Sequence, residues 1–353
     1  MKAMIIKEFR ELSRDRRTMA MIVVLPILFL VIFGYAANFN VGTLKTIVIG
    51  PQAAIAQTML PPLFEVTANE ADATTADAKE IIERAEAQVV IDTTTTPPTA
   101  WVDGADLFSA QTANAALARA GGQVSTQILF NPELKTSWYM VPSLIGLILT
   151  FIGTIVTSIG LVRERENGTL EQLAVMPFRP VDVIIGKIAP YFLLAAIDMV
   201  IITVVGILLF GVPFNGSVLV FALGAALFLF VVLGLGVLIS TLSKTTGQAI
   251  QLAILMLLPQ VLLSGMIFPL IAMPWAIRWI GYIMPLTYFT MISRGTFLRG
   301  TPIDATAMWL PILVLAVMAA VIFSLAVIRF RRDLAPHRSS RVATSAEPEA
   351  QSA

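Results

Sequence analysis

The chain has 353 residues, 57% of them hydrophobic and only 13% charged, with a mean hydropathy of +0.82. Soluble domains carry about 25% charged residues, so this composition marks a polytopic membrane protein. There is no cysteine, and the single histidine, His337, lies in a polar tail, which excludes disulfides, thiolate metal sites and Ser-His-Asp or Cys-His catalysis.

The first seventeen residues place Met4, Ile5, Phe9 and Leu12 among Lys7, Glu8, Arg10, Glu11, Arg14, Arg16 and Arg17. That pattern predicts a short amphipathic helix lying at a membrane surface. Residues 18–37 are uncharged and predict a first span, because about 20 apolar residues cross the hydrocarbon core. The run exceeds the apolar core of a signal peptide, so it reads as an uncleaved anchor.

Residues 38–136 have ordinary soluble composition, with 11 acidic against 5 basic side chains. β-Branched runs at 46–50, 88–92, 100–104 and 126–130 end in turn residues and predict strands. Alanine-rich stretches at 76–87 and 107–120 have helical periodicity. Strands alternating with helices indicate a small α/β module. Its acids have no catalytic grouping and read as a solvated face.

Further uncharged or nearly uncharged runs follow at 137–162, 188–210, 216–243, 245–268 and 305–328, giving six predicted spans with the first. Residues 265–300 are apolar but broken by Pro269, Pro274 and Pro285, with Arg278 among them. Lipid-exposed irregular backbone is not tolerated, so this segment is expected to form re-entrant or interfacial helices packed against protein. Trp275, Trp279, Tyr282 and Tyr288 suit that depth. The segments at 1–17, 163–187, around Lys244 and from 329 onward carry 16 Lys/Arg, against Arg278, Arg294 and Arg299 in the two shorter opposite loops. The positive-inside rule therefore places both termini in the cytoplasm and residues 38–136 outside. The tail 329–353 is polar and reads as disordered. The fold class is membrane all-α: six transmembrane helices, an amino-terminal interfacial helix, re-entrant outer helices after the fifth span and a small extracytoplasmic α/β domain.

Several features bear on function. Ser143, Gly146, Thr150, Gly153 and Thr157 recur at spacings that put one small, weakly polar stripe on a single helix face. Such a stripe serves close helix packing or one wall of a transport pathway. Asp198 is an acid inside a span, a position that fits substrate contact, proton coupling or helix–helix bonding. Gln248 and Gln251 share a face ahead of Pro259, Gln260 and Ser264, consistent with a cavity border or interhelical hydrogen bonding.

The densest charge lies in the stretch LVRERENGTLEQLAV, with Arg163, Glu164, Arg165, Glu166 and Glu171. Thr169 and Gln172 fit a capping box, and Glu171 sits in the first turn, where the helix dipole favours it. Gly168 breaks the incoming helix and Pro177 ends the new one. The result is a predicted two-turn helix whose Leu170, Leu173 and Ala174 form an apolar ridge, suited to docking on a partner.

These residues resemble the permease subunits of bacterial type-2 ATP-binding-cassette (ABC) exporters, in the subgroup with a large domain after the first span. RERENGTLEQLAVMPFRPVDVIIGK is similar to that family's charged loop and coupling helix. LSGMIFPLIAMPWAIRWIGYIMPLTYFTMISRGTFLRG resembles its outer re-entrant region, and NPELKTSWYMVPSLIG its entry to the second span. The resemblance implies two permeases driven by two cytoplasmic ATPase subunits, either two copies of this chain or this chain with a sister. It implies an ATPase contact through Arg163, Glu164, Glu166, Gly168, Thr169, Leu170, Glu171 and Leu173. It implies an outer gate in the re-entrant region, at Phe268, Pro269, Pro274, Pro285, Tyr288 and Arg294. The stripe Ser143, Gly146, Thr150, Gly153 and Thr157, with Asp198 and Gln251, remains the residue-based candidate for the substrate pathway.

Gly186-Lys187 lacks a glycine five residues upstream and is no phosphate-binding loop. No cofactor is therefore expected on this chain, with ATP and Mg held by a partner ATPase. A drug, lipid or lipid-linked metabolite is the expected cargo. Two rival readings are a receptor that senses a ligand through the α/β domain and a proton-coupled carrier using Asp198. The first lacks a cytoplasmic output domain, and the second lacks internal repeats and further buried ionisable groups.

Overall fold

The computed structural model describes residues 41–119, 124–167 and 180–334. The amphipathic segment 1–17, the first span 18–37, the capped helix beginning near Thr169 and the tail beyond 334 lie outside the described residues.

Residues from Val41 onward build a five-stranded sheet of β1 (Leu44–Ile49), β2 (Phe64–Glu70), β3 (Val89–Asp92), β4 (Thr99–Asp103) and β5 (Ser125–Leu129), in the order β2-β1-β3-β4-β5. β1 runs parallel to β2 and β3, and β4 parallel to β5, while β3 and β4 are antiparallel. The carboxyl ends of β4 and β5 thus share an edge with the amino ends of β1 and β3.

Successive side chains of a strand face opposite ways, so each face gains its own core. On one face Val48, Ile91, Ala100 and Val102 pack with α1 (Ala53–Met59) and α3 (Leu107–Arg119). On the other, Ile47, Ile49, Val90 and Trp101 pack with Ala78, Ile81 and Ile82 of α2 (Thr75–Glu83). Ile82 and Val90 have no exposed surface; burying a side chain of that size stabilises a fold by about 1.5–3 kcal/mol. α2 opens on a reciprocal capping box between Thr74 and Asp77.

Five helices among the described residues are long and apolar enough to cross a membrane. They are α4 (Thr136–Glu166), α5 (Pro180–Phe210), α6 (Val218–Leu242), α7 (Thr246–Leu263) and α10 (Thr306–Leu334). α6 is central, and small residues set its approach to its neighbours. A Cβ on Gly236 would lie 2.8 Å from Thr157 Cβ of α4, and one on Gly234 would lie 2.7 Å from Ile322 Cγ2 of α10. In lipid no hydrophobic force joins helices, so close packing of this kind has to hold them. α4 contains Pro142 one turn after Tyr139.

Three boundaries differ from the predicted spans by five residues or more. α5 starts at Pro180, eight residues before its apolar run, because proline is well suited to a first helical turn. α7 stops at Leu263 rather than 268, since Gly265 turns the chain with φ of 80°, a left-handed conformation that glycine adopts without penalty. α10 continues to Leu334, beyond the predicted end at 328; charges end an apolar run without ending a helix.

After Gly265 the chain makes a short 3-10 turn (Leu270–Ala272), α8 (Trp275–Gly281), α9 (Pro285–Arg294) and a π-helical turn (Gly295–Arg299). α9 returns into the bundle, where Phe289 stacks on Phe228 of α6 with centroids 4.5 Å apart. Phe221 and Phe297 extend this aromatic core at 5.2 Å.

Candidate functional site

Two polar clusters mark the two ends of the bundle, and α4 belongs to both. At the end that carries the sheet, Arg294 at the close of α9 lies over the Tyr139 ring of α4, its guanidinium carbon 3.5 Å from the centroid. Nε donates to Tyr139 O at 3.1 Å, Nη1 to Gly265 O at 3.1 Å and Nη2 to Met266 O at 3.1 Å. The Tyr139 hydroxyl also donates to Gly265 O at 3.3 Å. One arginine therefore ties the entry of α4 to the turn that follows α7. A planar guanidinium suits this task because it stacks on a ring while its edges donate.

The sheet is fastened to the same region by three contacts. Arg299 donates through Nη2 at 2.7 Å and Nε at 2.9 Å to Asp103 Oδ2 at the end of β4. Arg84, after α2, meets Asp304 at 2.8 Å. Thr301 Oγ1 donates to Glu83 O at 2.8 Å. Burial pushes the Asp103 carboxyl above the usual carboxylate range, against the pull of Arg299. Burial also weakens the Arg299 charge, but Asp103 beside it outweighs that and keeps the guanidinium protonated. Phe108 of α3 meets Tyr139 edge-on at 5.5 Å, so apolar contact accompanies the ion pair.

At the opposite end, two neighbouring charges of α4 hold two other helices. Arg165 Nη1 donates to Ser240 O and Ser243 O, at 3.1 and 3.0 Å, at the carboxyl end of α6. Glu166 accepts from Thr246 N and Thr246 Oγ1, both at 2.9 Å, at the amino end of α7. Each charge meets the helix end of opposite partial charge, and each satisfies backbone groups that a helix terminus leaves orphaned. The RERE run is thus in part a joint of this chain with itself.

The predicted site residues fall into three groups. Ser143, Gly146, Thr150, Gly153 and Thr157 are all buried on one face of α4. Gly146 faces Leu286 and Phe289 of α9, Gly153 faces Val232 of α6, and Thr157 faces Gly236. The stripe is packed against helices of its own chain. Asp198 and Gln251 are half-buried, on α5 and α7. Phe268, Pro269 and Pro285 are buried, Pro274 is exposed, and Tyr288 bonds Tyr282 O at 2.6 Å. Arg163 and Glu166 are exposed at the end of α4 and Glu164 is half-buried, while Gly168, Thr169, Leu170, Glu171 and Leu173 lie outside the described residues. Sequence reasoning passed over Arg165, Asp103 and Arg299, whose partners lie 75 to 196 residues away.

Residues 16–328 match the family described as ABC-2 family transporter protein. The chain is 31% identical over 333 residues to "Probable multidrug ABC transporter permease YbhS" of Escherichia coli (strain K12), covering 85% of this chain and 88% of that one. It is 35% identical over 205 residues to "Probable multidrug ABC transporter permease YbhR" of the same organism, covering 58% and 55%. It is 26% identical over 191 residues to "ABC transporter G family member 20" of Dictyostelium discoideum, covering 54% and 26%.

Proposed function

The chain belongs to the ABC-2 transporter family as a permease subunit of an ABC exporter, and from that premise we propose that it moves an amphiphilic or hydrophobic substrate, such as a drug, lipid or lipid-linked metabolite, out across the plasma membrane. The names of the Escherichia coli relatives, which call them multidrug permeases, support the drug-like part of that range. Two cytoplasmic ATPase subunits bind and hydrolyse ATP with Mg, and a second permease, a copy or a sister chain, completes the pathway. Both termini face the cytoplasm and the sheet domain faces outward, in keeping with the distribution of Lys and Arg.

One observation supports the mechanism most directly: α4 is bonded at both of its ends. It has 31 residues and, at 1.5 Å per residue, spans about 45 Å. Its Arg165 and Glu166 clasp α6 and α7 next to the loop that carries Leu170 and Leu173. Its Tyr139 meets Arg294 and the turn at Gly265, the neighbourhood of Phe268, Pro269, Pro274, Pro285 and Tyr288. A displacement delivered to the loop by ATPase closure passes through the joint into α4, α6 and α7 together. It arrives at the Arg294–Tyr139 contact, the latch of this end, as a rigid-body shift that opens the outer gate. The permease supplies shape and stiffness to this cycle, and Asp198 and Gln251 border the substrate's route.

The test is co-purification with the ATPase encoded beside it. Replacing Leu170 and Leu173 together with Asp should release the ATPase while the chain stays inserted in the membrane. Retained binding would refute the docking of this loop.

A further inference from the structure

A cavity of 680 Å³ lies between the sheet domain and the returning segment, bounded by β1, the α2–β3 turn, the start of α3, α9 and α10. Its volume falls within the range of small-molecule sites, about 300–1,000 Å³. The geometry points to a binding site for a zwitterionic amphiphile, with its head under the sheet and its tail along α9 and α10.

Charge selects the head. Arg294 in the wall has no salt bridge among the described residues; three of its N–H donors go to carbonyls, the Tyr139 hydroxyl is a further hydrogen-bond partner, and Asp106 acts on it from across the space. Lys45 in the roof has no ion pair among the described residues. Asp106 supplies the opposite sign: its carboxylate accepts from Gln88 at 3.1 Å and Ser109 at 2.7 Å, both neutral. Arg84 and Arg299 also face the space but are paired with acids. Asp106 acts on Arg294 and Arg299 across this volume, with no salt bridge from Asp106 to either among the described residues, so a head that carries both signs fits between them.

The lower part of the cavity selects the tail. Ile271, Met291 and Leu310 line it and are 39%, 36% and 44% exposed. The Ser264 and Thr290 residues line it too, are 1% and 2% exposed, and their hydroxyls have no partner among the described residues. Buried hydroxyls are normally satisfied, so this pair calls for a ligand or water that bonds them. Pro311, inside α10, has no N–H to return to the Ala307 carbonyl, which adds an acceptor beside the same space. The depth is interfacial: Trp275, Trp279 and Trp309 around this end of the bundle are 70%, 48% and 43% exposed, as in the aromatic belt of a membrane protein.

This site rests on the proposed exporter reading only for which side is outside. The full-length chain in nanodiscs is exposed to photoactivatable lysophosphatidylcholine and to lysophosphatidylglycerol of the same acyl chain, and crosslinks are mapped by peptide mass spectrometry. The choline-headed probe is expected to label the peptides holding Ile271 and Met291 several-fold more than the glycerol-headed one. Asp106→Asn, which keeps an acceptor for Gln88 and Ser109, should abolish that preference. Ala307→Trp should lower labelling by roughly tenfold, the loss that 1.4 kcal/mol of affinity gives. Ile271→Trp, at an exposed position, repeats the blocking arm should Ala307→Trp fail to fold. Equal labelling by both heads in the unaltered chain overturns the proposal, as does labelling that neither tryptophan reduces. With the ATPase and ATP present, labelling that falls during turnover identifies exported cargo, and labelling that stays constant identifies an outer-leaflet lipid; both keep the site. Loss of the site with export intact leaves the exporter reading standing.

Discussion

Arg299 grips a single oxygen of Asp103 through two nitrogens, at 2.7 and 2.9 Å, and the Asp103 side chain is 1% exposed. Removing one partner from such a pair leaves a charge buried alone, which costs about 3–5 kcal/mol, whereas replacing both with apolar groups is often neutral. Arg299→Met should therefore lower the thermal midpoint of the full chain far more than Arg299→Met combined with Asp103→Leu. Equal losses in the single and double variants would mean that Phe108 against Tyr139, and not the ion pair, holds the sheet to the bundle.

The latch at Arg294 separates into parts. Tyr139→Phe keeps the ring under the guanidinium and loses the hydroxyl's bond to Gly265 O and its hydrogen bond with Arg294, a change of about 1–3 kcal/mol. Arg294→Gln loses the stack and the fork of bonds to three carbonyls, and should be several times worse. Hydrogen exchange across residues 263–273 reads the difference directly. Comparable exchange in the two variants would show that the hydroxyl, not the guanidinium, holds this turn.

At the other end, Arg165→Ala removes two charge-assisted bonds to the last carbonyls of α6, each worth about 1.5–3 kcal/mol. Arg165→Ala and Glu166→Gln are expected to reduce substrate export in inverted vesicles while ATPase binding persists, because both charges bond helices of this chain. Loss of ATPase binding in both would place these residues in the interface itself.

Gly236 on the α4–α6 seam and Gly247 at the start of α7 predict a contrast. A Cβ on Gly236 would lie 2.8 Å from Thr157 Cβ and 3.0 Å from Thr154 O, and one on Gly247 would meet nothing within 4 Å. Gly236→Ala should destabilise by about 1–3 kcal/mol through overpacking, and Gly247→Ala should be neutral or mildly stabilising. Thermal unfolding of each variant in the same detergent checks the order.

In the sheet domain, burial pushes the Asp92 carboxyl up, but hydrogen bonds from Thr94 and Thr75 outweigh it and hold the group below its ordinary value. A carboxylate whose folded pKa is depressed contributes stability above its unfolded pKa and loses it as pH falls through the folded one. Thr75→Val should move the acid loss of protease resistance in the domain to higher pH. An unchanged profile would show that Asp92 does not set it.

Mean hydropathy made the spans legible because about 20 apolar residues in a row have few other uses in a chain. β2 and α1 escaped notice for the opposite reason. β2 is an edge strand, FEVTANE, with charges at Glu65 and Glu70, and α1 buries only Ala53. The stripe of β2 is only Phe64, Val66 and Ala68, and that of α1 only Ala53 and Ala56, both too short and too small to stand out. The small-residue stripe announced burial, but which helices it meets depends on Phe289 and Val232, far along the chain. The Arg165 and Arg299 contacts have no local pattern at all: an arginine ahead of a turn looks alike whether it faces water or the end of another helix.

Pro142 leaves α4 without one backbone donor, and proline is where helices kink. From there to Glu166 the helix runs uninterrupted for about 36 Å. Compliance is therefore concentrated within one turn of Tyr139 and absent near Arg165. A push at the stiff end reaches the aromatic ring as a change of tilt, and a ring that tilts loses its face-on fit to a flat cation long before it has travelled an atom's width.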